Sequence, residues 1–337
     1  MTTRLRWGIL ATGKIAEHFT HDLRIIDAPV SAVGSRDRAR AEAFARRFGV
    51  PAAHGSYEEL VSDPSVDVVY VATPNTSHAE HALLALDAGK HVLVEKPFAM
   101  NAAEAQRVVD RAGELGLVVL EAMWTRWLPH MVRIRELVRS GALGTLRGLT
   151  ADHGLLLSSD PSHRVQAPEL GGGALLDLGI YPISFAWDLF GAPDRIASIS
   201  DSTSTGVDAL TSILMGFPGG GQASIQTGLD ARSPVKASIV GTEARIEIDS
   251  FWYFPNSFTM IDPAGTVLER FENTVEPRGM QYQALELERL VANGQIAGEI
   301  LPPRQSVEIV RTLDEIRAQI ALSFAADRHT RDSEGIA

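Results

Sequence analysis

The sequence predicts an α/β protein: a doubly wound parallel sheet at the N-terminus, followed by an α+β domain on mostly antiparallel sheet. Three observations lead there. Up to about residue 120, short apolar runs alternate with helix-patterned stretches. From about residue 144 the hydrophobic period falls to two. And at 337 residues the chain exceeds the common domain size of about 100–150 residues. Domains are expected at 1–123 and 124–325, with a polar tail at 326–337.

Strand-like runs are Leu5–Leu10, Val30–Gly34, Val66–Ala72, His91–Val94 and Leu117–Leu120, with helix-like stretches near 14–26, 37–48, 77–88 and 101–115. Gly49, Gly89 and Gly116 follow three of those stretches, where a left-handed residue ends a helix. Alternation of this kind implies right-handed βαβ units and a parallel sheet.

Residues 124–140 read as a helix interrupted near Pro129. In Gly221–Leu229, Gln222, Ser224 and Gln226 alternate with Ala223, Ile225 and Thr227. Ala244, Ile246 and Ile248 likewise alternate with Arg245, Glu247 and Asp249. Both runs predict antiparallel strands with one wet face. Helices are expected near 173–190, 280–293 and 303–324.

Composition excludes several classes. The 45% hydrophobic content suffices for a sizeable core. With 31 basic against 42 acidic residues the net charge is −11, which disfavours nucleic acid and anionic membranes as partners. There is no cysteine, so disulfide, thiolate and Cys–zinc chemistry are out. No signal-peptide pattern opens the chain and no stretch of about 18 apolar residues occurs, so a cytoplasmic location is expected.

The first strand runs into Trp7-Gly8-Ile9-Leu10-Ala11-Thr12-Gly13-Lys14-Ile15-Ala16. This approximates G-x-G-x-x-G, with Ala11 and Ala16 in place of the first and third glycines. Gly13 keeps the position where backbone N–H groups approach a pyrophosphate at a helix N-terminus. An NAD site usually carries an acid about 20 residues on, to accept the ribose hydroxyls. Here the second strand ends in Ser35-Arg36-Asp37, with Arg38 and Arg40 beyond. Arg36 suits a 2′-phosphate, and Asp37 is placed to cap the next helix. NADP is therefore the expected cofactor, with Ser35, Arg36 and Arg40 at its 2′-phosphate end.

Val92-Leu93-Val94-Glu95-Lys96-Pro97 ends another buried parallel strand. Ligands bind at such carboxyl ends in open α/β sheets, so Lys96 can meet a cofactor and a substrate together. His78 and His81 stand three apart, but no third metal ligand is evident, and no metal is expected.

With these pieces in place the chain resembles the glucose–fructose oxidoreductase / inositol dehydrogenase family. The resemblance rests on Gly8 to Ala16, on Thr73-Pro74-Asn75-Thr76-Ser77-His78, on Glu95-Lys96-Pro97, and on Gly172 to Tyr181. Glu121-Ala122-Met123-Trp124-Thr125-Arg126 and Tyr181, where many relatives have His, are more narrowly similar to the dimeric dihydrodiol dehydrogenase / NADP-dependent xylose dehydrogenase branch. The resemblance implies a Rossmann domain, an open-sheet second domain, catalysis at their junction, and a homodimer or larger assembly through the sheet face. It implies catalytic roles for Lys96, Asp177 and Tyr181. The cofactor contacts expected from motif and resemblance are Ala11, Thr12, Gly13, Lys14, Ile15, Ser35, Arg36, Arg40, Thr73, Pro74, Asn75, His78, Glu95, Lys96, Trp124 and Arg126.

The chemistry of these residues is consistent with that assignment. Asp177 and Tyr181 are spaced i, i+4 and share a helix face. Hydride transfer from an alcohol needs a base for the hydroxyl proton. A tyrosine near pKa ~10 is a poor base at neutral pH, and a nearby ammonium such as Lys96 favours the phenolate. Lys96 can also stabilise charge on the reacting oxygen. Trp124 is a candidate wall of the substrate site or a core aromatic. Phe251-Trp252-Tyr253-Phe254 is strand core or interface, with Trp252 a further candidate wall. The expected activity is hydride transfer between NADP and a sugar or cyclic polyol, with aldose oxidation to the lactone favoured. The alternatives are reduction of a dicarbonyl sugar such as anhydrofructose, and a non-catalytic NADP-binding sensor.

Overall fold

The computed structural model describes residues 4–275 and 277–327. The tail expected at 326–337 therefore lies outside the described residues beyond Asp327. The chain divides into two compact units: the first runs to Trp124 and includes Pro277–Val310, and the second begins at Thr125 and resumes at Arg311. The single boundary expected at 123/124 thus differs from the structure, in which the chain returns to the first unit.

The first unit carries β1 (Trp7–Leu10), α1 (Lys14–Ile25), β2 (Val30–Gly34), α2 (Arg38–Phe48), β3 (Ala52–His54), α3 (Tyr57–Val61), β4 (Val68–Val71), α4 (His78–Asp87), β5 (His91–Val94), α5 (Ala102–Leu115) and β6 (Val119–Glu121). The strands form one parallel sheet in the order β3-β2-β1-β4-β5-β6. Every residue of β1 and β4 is buried, as expected of strands covered on both faces. Helix α5 shows how the sequence builds the layer. Asn101 caps it by accepting from the Glu104 N–H at 2.9 Å, and Ala102, Ala105, Val108 and Ala112 form its buried stripe. Burying a Val or Leu in such a layer contributes about 1.5–3 kcal/mol. β3 and α3 were not expected from the sequence. They have three and five residues, too few for a period to register. The strand order reverses between β1 and β4, and this switch point is where the carboxyl ends of such sheets bind ligands.

The second unit opens with α6 (Pro129–Arg139) and β7 (Leu146–Gly154), then reaches a helical segment that starts as a π-helical turn over Leu175–Gly179 and continues as α7 (Ile180–Phe190). There follow β8 (Arg195–Ser202), β9 (Asp208–Gly216), β10 (Gln222–Gly228), β11 (Ala237–Gly241), β12 (Arg245–Ile248), β13 (Phe258–Ile261) and β14 (Val267–Phe271). The sheet order is β14-β13-β12-β11-β7-β10-β9-β8, antiparallel except where β7 meets β10. Along β10, Ala223, Ile225 and Thr227 are buried while Gln222, Ser224 and Gln226 are exposed. Helix α7, buried from Ile180 to Trp187, covers the inner face. Two further α-helices are α8 (Gln281–Ala292), in the first unit, and α9 (Pro303–Gln319).

Candidate active site

In the first unit the turn from β1 to α1 is built for an anion. Gly13 caps α1 without a side-chain hydrogen bond, whereas Asp37, Ser56 and Asn101 cap α2, α3 and α5 with theirs. The first N–H groups of a helix have no intrahelical partner, and they gather positive potential. A Cβ at Gly13 would meet nothing within 4 Å, so the approach is open. Ala11, at the first glycine position of the motif, takes φ 90°, and its N–H donates to the Gly34 carbonyl at 2.9 Å. A left-handed alanine costs about 1–2 kcal/mol, and strain of this kind collects at ligand-binding turns. Thr12 and Ile15 are half-buried and Lys14 is exposed. These features, at the switch point, fit a dinucleotide pyrophosphate.

At the end of β2, the buried Ser35 hydroxyl accepts from the Asp37 N–H at 3.2 Å. The Asp37 carboxylate accepts from the Ala39 and Arg40 amides at 2.9 and 3.3 Å, turning it toward α2. Arg40 pairs with Asp37 at 3.4 Å on the surface. Arg36 is exposed beside the Tyr57 hydroxyl: burial raises the Tyr57 pKa, and the Arg36 guanidinium opposes that rise. The Tyr57 ring also meets His81 edge-on at 4.7 Å, and His81 Nδ1 lies 3.1 Å from the Thr73 hydroxyl. Sequence reasoning missed Tyr57, which sits on the short α3.

Past β4 and β5 the two loops are fastened together. His78 is buried, with Nδ1 2.7 Å from the Pro97 carbonyl and Nε2 2.9 Å from the Thr73 carbonyl. Burial pulls its pKa down to about 4 although both carbonyls favour the charged ring. His78, expected to line the cofactor pocket, is therefore a neutral brace behind the Thr73 and Lys96-Pro97 loops. Pro74 is exposed and Asn75 half-buried at the start of α4's leading turn. Glu95 is 4% exposed, accepts from the Tyr70 hydroxyl and, at 3.2 Å, from the Lys96 amide. It shapes the turn that presents the half-buried Lys96, whose bond to Pro97 is cis. Trp124 is 2% exposed.

In the second unit Asp177 lies inside the π-helical turn, a local widening often found at functional sites. Arg164 donates to its two oxygens at 3.1 and 3.0 Å. Tyr181 follows on α7, with its ring 5.2 Å from those of His153 and Tyr253, which are themselves 4.1 Å apart. His153 Nδ1 is 3.1 Å from the Leu178 carbonyl. Tyr253, not Trp252, therefore stands beside Tyr181. Trp252 is fully buried, stacks on Phe185 at 5.3 Å and donates to the Asp152 carbonyl at 3.0 Å, which makes it core. Among the described residues no group of three or more His, Asp or Glu side chains is arranged to hold a metal ion.

Residues 5–123 match the sequence model of an oxidoreductase family with an NAD-binding Rossmann fold, and residues 131–247 match the GFO/IDH/MocA C-terminal domain. The chain belongs to the GFO/IDH/MocA family. It is 37% identical over 333 residues to the trans-1,2-dihydrobenzene-1,2-diol dehydrogenase of Mus musculus, covering 96% of this chain and 99% of that one. Two of the solved structures that share its fold show how far the match extends. The aldose–aldose oxidoreductase of Caulobacter crescentus, complexed with glycerol, superposes with a TM-score of 0.85 at 23% identity, covering 95% and 98% of the two chains. The 3-ketoreductase KijD10 of Actinomadura kijaniata, in complex with NADP and TDP-benzene, does so at 0.84 and 25% identity, covering 94% and 98%. As a GFO/IDH/MocA protein this chain is an NAD(P)-dependent oxidoreductase acting on CH–OH groups. No described helix is long and apolar enough to cross a membrane.

Arg126 departs from its expected role. Its guanidinium is 1% exposed, pairs with Asp188 of α7 at 2.7 Å and donates to the Ser184 hydroxyl at 2.9 Å. Arg135 joins the same carboxylate at 2.5 Å. In this GFO/IDH/MocA chain Arg126 locks α7 from behind. The signal available in the sequence was Asp188 and Ser184, four apart on that helix.

Proposed function

We propose that this chain transfers a hydride between NADP and a vicinal diol carried on a six-membered ring, with oxidation of an aldopyranose at C1 to the lactone as the favoured reaction. One observation carries the reading: Asp177 and Tyr181 lie together on a helical segment in the second unit of a GFO/IDH/MocA chain. A pyranose and the trans-dihydrodiol of the mouse relative share this ring diol. The cofactor half of the proposal is supported by Arg36 and by the turning of Asp37 away from the strand end.

When bound, NADP supplies the hydride acceptor, and NADPH the donor in reverse. In oxidation, Tyr181 as phenolate takes the hydroxyl proton while the ring C–H electrons leave as hydride, so a carbonyl and a phenol result. Lys96 stabilises the alkoxide that forms on the way. Asp177, fixed by Arg164, orients the adjacent hydroxyl. Tyr253 and His153 wall the apolar side of Tyr181. The chain works as a homodimer, its outer sheet face supplying the contact.

The test incubates the protein with NADP or NAD and a panel of aldopyranoses, cyclic polyols and a trans-dihydrodiol, following absorbance of the reduced nicotinamide. Turnover with a ring diol and NADP, falling by about 10²–10⁴ in Tyr181→Phe, is the expected result. Nicotinamide binding without reduction by any ring diol overturns it in favour of a non-catalytic sensor.

A further inference from the structure

The helical segment carrying Asp177 and Tyr181 begins against a carboxylate that the chemistry above does not use. Asp208, the first residue of β9, is 2% exposed. Its Oδ2 accepts from the Leu175 N–H at 2.7 Å and from the Thr211 hydroxyl at 2.9 Å. Its Oδ1 has no hydrogen-bond partner among the described residues. Just before the segment, Gly173 takes φ 112°, and a Cβ there would overlap Asp208 Oδ1. Glycine is required at 173 twice over, by the backbone and by the carboxylate. Ala174, the residue before the π-helical turn, offers no side-chain cap of its own.

We propose that Asp208 is a positioning residue: by holding the N–H at the start of the π-helical turn, its carboxylate sets where Asp177 and Tyr181 lie. This rests on the reading of those two residues as catalytic. A neutral asparagine could offer Leu175 a carbonyl oxygen without the penalty of a buried charge. A buried charged group placed where it costs stability fits the pattern of a functional constraint.

The geometry makes the device pH-sensitive. Burial lifts the Asp208 pKa to about 6, against the hydrogen bonds from Leu175 and Thr211. Of the ionisable groups on elements packed around it, His153 of β7 is buried and Asp177 is held by Arg164. Arg195 and Asp201 of β8 are exposed, and Asp152 of β7 is bonded to the Val235 and Lys236 amides. Protonating Asp208 weakens its grip on Leu175 and loosens the turn.

Hydrogen exchange of the amides at 174–181 and steady-state kinetics, both as a function of pH, test this on the full chain. In the native protein, exchange protection and kcat should rise together through pH about 6. Asp208→Asn should flatten both profiles and lower kcat roughly tenfold to a hundredfold, as misplacement of reacting groups does, with KM for NADP unchanged. Thr211→Val removes a donor to the carboxylate, so it should move the midpoint of both profiles to higher pH. A structural cap alone would give neither the lost limb nor the moved one. An Asp208→Asn protein with native kcat and an intact acid limb, or a Thr211→Val protein with an unmoved midpoint, overturns the proposal. Exchange needs no substrate, so absent turnover sinks the proposed activity while leaving the Asp208 result decisive.

Discussion

Arg164 grips Asp177 with two parallel hydrogen bonds of 3.1 and 3.0 Å, although the Arg164 side chain is 58% exposed and that of Asp177 only 9%. An ion pair with one such exposed partner stabilises a fold by about 0–1 kcal/mol, so its contribution lies in orientation. Bidentate geometry fixes a carboxylate plane in a way that a lysine cannot. Arg164→Ala should therefore leave the melting temperature nearly unchanged and lower kcat/KM by roughly tenfold to a hundredfold. Arg164→Lys should recover little of that loss. Native kinetics in Arg164→Ala would show that Asp177 needs no holder.

In the proposed reading, cofactor choice turns on Arg36. The Asp37 carboxylate is occupied by the α2 amides, so nothing acidic at the strand end competes for a ribose hydroxyl. A hydrogen bond to a charged group contributes about 1.5–3 kcal/mol, and Arg36→Ala should weaken NADP binding about ten- to a hundredfold while NAD binding barely changes. Titration calorimetry with both nucleotides decides it. Equal losses, or a native preference for NAD, remove Arg36 from the 2′-phosphate.

Much of the first unit was legible because its signals are local. β2 and β5 fall at the residues the apolar runs gave, and α1, α2, α4 and α5 within one residue at each end. The pairings that build the site were not legible, because they join residues distant in sequence: Arg164 to Asp177, Arg126 to Asp188, Tyr253 to Tyr181. The π-helical turn escaped too, since one extra residue per turn leaves the apolar pattern of 173–190 intact. His78 was read as a pocket residue because the sequence shows its loop but not the Pro97 carbonyl behind it.

His78 joins those two loops, and because the neutral ring has one N–H, its removal strands one buried carbonyl. Leaving a buried acceptor unsatisfied costs about 1–3 kcal/mol. His78→Ala should lower stability by at least that much and raise KM for NADP, because Thr73, Asn75 and Lys96 lose their common brace. The pH dependence has a definite sign. A folded-state pKa of about 4 lies below the ordinary 6.5, so the stability the neutral ring provides is complete above pH 6.5 and is lost as pH falls toward 4. The stability gap between native protein and His78→Ala should narrow over that interval in denaturant melts. A gap constant with pH would mean that folding leaves the His78 pKa unshifted, and a gap that widens on acidification would mean that the ring is charged inside the fold.

The outer face of the second unit's sheet is wet along β10, but Ile199 on β8 is 75% exposed and Leu214 on β9 is 60% exposed. Ile199 pairs with Ser212, and Leu214 with Ala197 and Ser224, so the two apolar side chains stand on one face beside short ones. Short side chains let a second copy approach closely, and burying two large aliphatic residues from each copy contributes about 1.5–3 kcal/mol apiece. A two-fold contact doubles every favourable pair, and also every unfavourable one. Leu214→Asp would bring two carboxylates into one apolar contact while leaving each folded sheet intact, because the residue faces solvent in the single chain. Light scattering should show the native protein at twice the monomer mass and Leu214→Asp at the monomer mass, with an unchanged melting profile of secondary structure. A native protein that stays monomeric at micromolar concentration contradicts the homodimer. A dimer that survives Leu214→Asp places the contact on another face.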